Sequence, residues 1–495
     1  MRSISIASLF SSIRLRVGYY TLDQITEKNE ENHLALAKKS ISTLQRFTNR
    51  KPLLGISYPP NELLQSLRIV SGVNIKDKHR RILLLAMKRL KNLRNLTWTD
   101  GVFPGDVAAA VTASCTSLDT LRISCFVDHP LLQLSALEAR LRDIEFMDDC
   151  ATPCVDNRNL RILFHRSNGL HHAKLLTQRN QNSIRALAIY GPDPSPGNLQ
   201  LHDLFNGPNH LVNLVLTGPG NLPGLYELLR QSPAVESLAL LDIDSLSSLP
   251  LEGDVLPNLM DFKVYFDISL QRHPTSTISG PLISFVRIHE RLRRFDMSFC
   301  GVLQFGPTAA EEDNTWFMEL LKVICTLDHL QALGITFPKL EASEVSQAIN
   351  MLSEHAHSLE SCNAVRIEGT QNVALEVIMA KLGSCKFLAL SDMIHCNCLC
   401  ISVRPPLLTV EDLVYRHGLT KLEQTILFGV IYDIRPIDMS VEEKFIGQPW
   451  DPDRVRWRTE TDFCSPDAHW LMSYRTIRQY NFALRGLASL GVGPS

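Results

Sequence analysis

Along most of the chain one arrangement of apolar and variable positions recurs. An apolar residue is followed by two variable ones, a second apolar residue, one variable, and a third apolar residue. It reads as Leu64, Leu67, Ile69; Leu93, Leu96, Trp98; Leu118, Leu121, Ile123; and Leu141, Ile144, Phe146. A poorer copy is Leu160, Leu163, His165. The pattern resumes at Ile184, Leu187, Ile189; Leu211, Leu214, Leu216; Val235, Leu238, Leu240; and Leu259, Phe262, Val264. Then come Leu292, Phe295, Met297; Leu330, Leu333, Ile335; Leu359, Cys362, Ala364; and Cys385, Leu388, Leu390. With 45% apolar residues, chance alone produces such a triad in roughly one window in eleven, so the spacing has to decide. First positions lie 19 to 38 residues apart, mostly 23 to 29. A supersecondary unit repeated at about 20 to 29 residues is the signature of one class of solenoid.

Alternation within each triad predicts a short strand with one face toward a core. Between triads, Leu222, Leu225, Leu228 and Leu229 lie at helical spacing, as do the apolar residues of Phe317 to Leu327, Val345 to Leu352 and Val373 to Leu382. Gly191-Pro192, Gly218-Pro219 and Phe337-Pro338 punctuate the passage from strand to helix. A strand returning through a helix must pair in parallel with its neighbour. A doubly wound sheet alternates in the same way but buries its strands on both faces. Here the variable positions are often polar or small: Asn95, Thr97, Thr120, Arg122, Asp143, Glu145, Asn213, Asp261, Lys263, Arg294 and Asp296. One face is therefore expected to be solvated, which favours the solenoid.

On these triads the chain resembles leucine-rich-repeat proteins of the ribonuclease-inhibitor-like kind, and in its irregularity the repeat region of F-box proteins. The resemblance covers about residues 60 to 395. It implies an α/β horseshoe of about twelve irregular strand-helix units with a parallel sheet and helical caps. The family's Asn or Cys ladder after the third apolar position is replaced here by residues such as Asp100, Phe126, Tyr190 and Gly218, so uneven repeats are expected. Pro59-Pro60-Asn61-Glu62-Leu63-Leu64 resembles the opening of an F-box. The second helix and tryptophan of that module do not follow, so no F-box is recognisable. The expected organisation is a helical cap over 1–60, the solenoid over 61–400, and terminal repeats with a cap or tail over 401–495. That tail holds Trp450, Trp457 and Trp470. Open solenoid ends need covering, and capping is the role expected of both termini.

Charge changes the picture in one respect. Lys and Arg total 50 against 52 for Asp and Glu, a net charge of −2. Nucleic-acid partners usually call for a basic excess or stripe, and none is visible. No apolar run reaches the roughly 18 to 20 residues that span a bilayer. No secretory pattern opens the chain, which points to a cytoplasmic or nuclear protein. Arg2, Arg14 and Arg16 among serines, ahead of the first acidic residue at Asp23, give a mitochondrial address as the alternative.

Each cluster of chemically capable residues also has an ordinary packing explanation. Gly218, Gly220 and Gly224 before a helix imitate a dinucleotide turn, but Pro219 and Pro223 remove backbone donors that such a loop needs. His395, Cys396, Cys398 and Cys400, and Cys150 with Cys154, lack the second pair of a zinc site. His165, His171 and His172 near Asp148 and Asp149 have no marked nucleophile. Glu311, Glu312 and Asp313 suit the start of a helix. No cofactor or metal is expected. The function expected is non-enzymatic binding of a protein partner on the variable face. The contact residues expected are Asn95, Thr97, Arg122, Asp143, Glu145, Tyr190, Asn213, Lys263, Tyr265, Arg294 and Asp296. The F-box resemblance implies a ubiquitin-ligase substrate receptor, with the ligase adaptor as a further partner.

Overall fold

A computed structural model describes residues 12–17, 38–45, 64–71, 77–99, 103–124, 143–147, 177–178, 181–190, 200–217, 224–243, 246, 249–250, 255–267, 275–300, 315–337, 342–355, 358–366, 384–392, 409–416, 418–427, 430–437, 444–450 and 462–472. The chain divides into two compact units, Met1–Gly218 with Leu222–Val235, and Pro219–Asn221 with Glu236–Ser495.

Unit 1 carries β1 (Ser12–Val17), β2 (Ser66–Ser71), β3 (Asn95–Thr99), β4 (Thr120–Ser124), β5 (Asp143–Met147), β6 (Ala186–Tyr190) and β7 (Asn213–Thr217). Each pairs in parallel with the next in chain order. The helices α1 (Asp77–Met87), α2 (Gly105–Ser114) and α3 (Leu225–Arg230) lie between or after them. The strand register places Leu67, Leu96, Leu121, Ile144, Leu187 and Leu214 side by side. Of these, Leu67, Leu96, Leu121, Leu187 and Leu214 are buried, and so are Val107, Ala108 and Val111 of α2. Full burial of a leucine contributes about 1.5–3 kcal/mol, so one row of triad leucines accounts for much of the drive to stack.

Unit 2 carries β8 (Ser237–Ile243), β9 (Asp261–Asp267), β10 (Arg294–Cys300), β11 (Ala332–Phe337), β12 (Ser361–Arg366), β13 (Phe387–Asp392) and β14 (Gln424–Leu427), again parallel in chain order. Strand β15 (Val430–Ile437) then pairs antiparallel to β14, and β16 (Lys444–Pro449) antiparallel to β15. Helices α4 (Thr275–Ile288), α5 (Thr315–Ile324) and α6 (Ala342–His355) are the crossovers, and α7 (Pro466–Met472) follows the antiparallel pair. Phe262, Phe285 and Phe295 form a tilted aromatic cluster in the core, with centroids 4.7 and 6.2 Å apart.

Two backbone devices recur in both units. The amide of the first triad residue donates to the carbonyl three positions earlier: Leu93 to Leu90, Leu118 to Cys115, Val235 to Ser232, Leu259 to Leu256, Leu292 to His289 and Leu330 to Leu327. These partners are all buried, a fourth core position that the triad does not reveal. The carbonyl just after that residue then receives two amides from the next unit. Gln65 takes Arg94 and Asn95, and in unit 2 the chain of such pairs runs from Glu236 through Met260, Arg293, Gln331, Glu360 and Lys386 to Glu423. Local satisfaction of backbone groups thus keeps successive strands aligned. The pairing is not uniform, for the register shifts between β8 and β9 after Leu240.

The residues expected to form a helical cap over 1–60 include a strand, β1, which carries Arg14 and Arg16, and a two-turn helix at 38–45. Phe10, Ile13 and Leu15 have triad spacing, so the signal for β1 was present but stands 54 residues before Leu64. The copy at Leu160, Leu163 and His165 and the helical pattern of Val373 to Leu382 lie outside the described residues, and β5 pairs directly with β6. Among the described residues no helix is long and apolar enough to cross a membrane.

Candidate interaction surface

In a parallel sheet the residues between triad leucines fall on the opposite face and line up across strands. In unit 1 this makes one row of Ser66, Asn95, Thr120, Asp143, Ala186 and Asn213 and a second of Arg68, Thr97, Arg122, Glu145, Ala188 and Val215. Asn95 and Thr97 are half-buried and Asn213 is exposed. Arg122, Asp143, Glu145 and Tyr190 take their places through the backbone register of β4, β5 and β6, and their side chains are outside the described residues.

Unit 2 departs from expectation. The equivalent rows are Asp261, Arg294, Ala332, Ser361, Phe387 and Gln424, and Lys263, Asp296, Gly334, Asn363, Ala389 and Ile426. Lys263 and Asp296 are fully buried and Tyr265 is 7% exposed. They are therefore not an open contact surface. The cover is residues 462–472. Phe463, Ala468, Leu471 and Met472 form a second apolar cluster with Ala332, Phe387, Ala389, Ile426, Ile431 and Trp450, on the face opposite the triad leucines. Phe463 meets Phe387 edge-on at 6.3 Å and Trp450 at 5.5 Å.

The covering segment is readable locally. Ser465 accepts a hydrogen bond from the Ala468 amide at 3.1 Å, Pro466 starts the helix, and Asp467 stands in its first turn. This is a capped start with the acid at the positive end of the helix. Arg294 reaches that end, donating through Nε to Asp467 at 2.7 Å and through Nη1 to Asp261 at 3.2 Å. At the other end the Lys263 ammonium donates to the carbonyls of Trp470 and Leu471 and lies 4.4 Å from the Trp470 ring centroid. Behind it stands Asp296, 3.3 Å away, which also accepts from the Tyr265 hydroxyl at 2.9 Å. Gly334 lies beside Asp296, and a Cβ there would overlap the carboxylate. Gln424 completes the seat, donating to the Asp462 carbonyl at 2.9 Å and accepting from the Cys464 amide at 2.8 Å. Burial raises the Asp261 carboxyl above its usual value, Arg294 and Arg293 oppose the rise, and Asp467 adds to it.

Sequence reasoning placed Lys263, Tyr265, Arg294 and Asp296 on the correct face and missed what lies on it. It also missed Ala332, Gly334, Phe387 and Ala389, variable positions that turn small or apolar from Leu330 onward. That loss of polarity, with a tryptophan-rich tail downstream, was the available signal.

The other candidates give little chemistry. Cys115, Cys325, Cys362 and Cys385 are buried free thiols and Cys464 is half-buried. Burial pushes Cys115 and Cys464 up to about 12 and Cys385 well up, so these groups stay protonated at neutral pH. Gly224 holds a left-handed conformation, φ 78°, ahead of the six-residue α3, while Gly218 and Gly220 lie outside the described residues. The clusters at Cys150 to Cys154, Asp148 to His172, Glu311 to Asp313 and His395 to Cys400 are also outside them. Among the described residues no group of three or more metal-ligating side chains converges. Of the F-box-like stretch Leu64 alone is described, and it is buried ahead of β2 as a triad residue.

No family model matches the chain, and no curated protein does. Among solved structures it is similar to a complex of TLR13 with ssRNA13, at 12% identity and a TM-score of 0.25 over 67% of this chain. The chain spans about half, 53%, of the length of that protein. At that TM-score the likeness adds nothing to the strand pairing already described.

Proposed function

We propose that the chain is a leucine-rich-repeat scaffold, a horseshoe-type solenoid without enzymatic activity, that binds a protein partner through the sheet face of unit 1. The observation that carries this reading is the in-register row structure of β2–β7. It sets Asn95, Thr97 and Asn213 at least partly open to solvent on the face away from the triad leucines. Repeat scaffolds bind through such broad faces. By backbone register the second row runs Arg68, Thr97, Arg122, Glu145, Ala188 and Val215, a mix of residue types suited to a protein and not to a phosphate backbone.

The test compares two multiply substituted proteins as baits, with captured proteins quantified by mass spectrometry. One carries Asn95→Arg, Thr97→Lys, Arg122→Glu and Asn213→Arg. The other carries Arg81→Glu, Lys91→Glu and Glu227→Lys, exposed positions off the sheet. A genuine partner is expected to fall at least tenfold with the first bait and to stay with the second. Loss with the second and retention with the first sinks the assignment of the face.

A further inference from the structure

In unit 2 the face that the repeat pattern marks for docking is already filled, and the filling has the features of a bound ligand. Any cover over this face has to pair its buried charges as well as fill its apolar positions. Here two buried or half-buried cations read the two ends of one short helix. Arg294, shared with Asp261, takes the acid of the first turn, and fully buried Lys263 takes the last carbonyls. A buried Lys–Asp pair is weak as a source of stability, because desolvation consumes most of the attraction, and its best-attested use is specificity. Beside the two cations, on β11, β13 and β14, lies an apolar trough of Ala332, Phe387, Ala389 and Ile426 that clusters with Phe463, Leu471 and Met472. The seat therefore distinguishes a helix by polarity, by an acidic first turn and by its apolar side, as helix-in-groove receptors do.

We propose that the sheet face of β9–β14 is a receptor for a short helical peptide with an acidic first turn and an aromatic-apolar face. Residues 462–472 occupy it in cis as a displaceable occupant. A partner helix of the same pattern engages this face by replacing them. Covalent attachment within the same chain makes rebinding of the cis segment intramolecular, so that replacement is selective for partners that bind tightly or that first draw the segment away. The inference rests on reading the polar sheet face as the docking side, but the two fail separately. Partner capture tests unit 1, and peptide exchange tests unit 2.

The experiment uses the full chain with a protease site inserted between 451 and 461, nicked after purification so that the segment stays seated without its tether. The probe is a fluorescein-labelled peptide with the sequence of residues 460–475. Nicked protein is expected to exchange its own segment for the probe, while the intact chain binds it at least a hundredfold more weakly. A probe carrying Asp467→Lys should bind at least tenfold more weakly than the native probe. In a receptor carrying Arg294→Gln the two probes should differ by less than threefold. Failure of the probe to enter nicked protein whose circular dichroism stays native overturns the proposal. Unfolding of the sheet when the segment leaves overturns it as well, because both results make 462–472 a permanent part of the core. Equal binding of the two probes to the unsubstituted receptor removes the recognition by Arg294.

Discussion

Lys263→Met tests whether the ammonium beneath α7 is as buried and as engaged as its geometry states. Nζ has no exposed surface, stands 3.3 Å from Asp296, and donates to the carbonyls of Trp470 and Leu471. Methionine fills much of the same volume, so cavity formation is a minor cost. The major one is electrostatic. Removing one member of a buried ion pair costs about 3–5 kcal/mol, since the remaining carboxylate keeps its desolvation penalty. The two lost bonds to carbonyls, about 1.5–3 kcal/mol each to a charged donor, come from the same group and overlap with that figure. A chain of two compact units need not unfold as one two-state body. Stability is therefore best read by native-state hydrogen exchange in peptides covering β9–β12. About 3–5 kcal/mol corresponds to acceleration by roughly two to four powers of ten, at 1.36 kcal/mol per tenfold. Adding Asp296→Asn, which keeps a partner for Tyr265 while removing the stranded charge, should bring the cost down to about 1–2 kcal/mol. Acceleration of less than tenfold in the single variant, or a double variant no slower to exchange than the single, would show that the pair is solvated and the argument wrong.

Two further outcomes follow from unit 2. Gly334→Ala places a methyl on the Asp296 carboxylate, which Lys263 and Tyr265 hold in place. Overpacking of about 1–3 kcal/mol is expected, and an Asp296→Ala background should abolish most of it in the same exchange assay. His289 is 5% exposed, its Nε2 has no hydrogen-bond partner among the described residues and its ring stands edge-on to Phe285 at 4.5 Å, and burial lowers its pKa to about 4. The unfolded chain therefore binds the extra proton between about pH 6.5 and 4, so stability is full above pH 6.5 and falls as pH drops through that window. The loss reaches about 3 kcal/mol. Thermal melts at pH 7.5 and 4.5 should show a clearly smaller acid shift in His289→Gln. An unchanged shift would exonerate the histidine.

How far the sequence reached depends on how local each determinant is. Strands β2 to β13 sit where the triads put them, because alternation and spacing act within a few residues and each unit repeats the same demand for burial. The parallel direction followed from the helical crossovers. The −3 turn residues such as Leu90, Ser232 and His289 were not legible, since leucine, cysteine, serine and histidine all serve there and what unites them is burial and a backbone hydrogen bond. Strand β1 was missed because its triad stands alone, far from the array that gives a triad meaning.

The sequence by itself thus determined the repeating unit, the parallel pairing and which positions of each strand face away from the core. Whether those positions meet water was decided only by tertiary structure. Lys263 and Trp470 are 207 residues apart in the chain, beyond the reach of any periodicity, and the contact exists because Asp467, the helix carbonyls and the Phe463–Met472 side chains complement a surface assembled from six strands. A period-two pattern reports that a side chain leaves the core side of its sheet. It carries no information about a second layer arriving from elsewhere, so polar Lys263 and Asp296 read as solvated although they lie at the bottom of a filled seat.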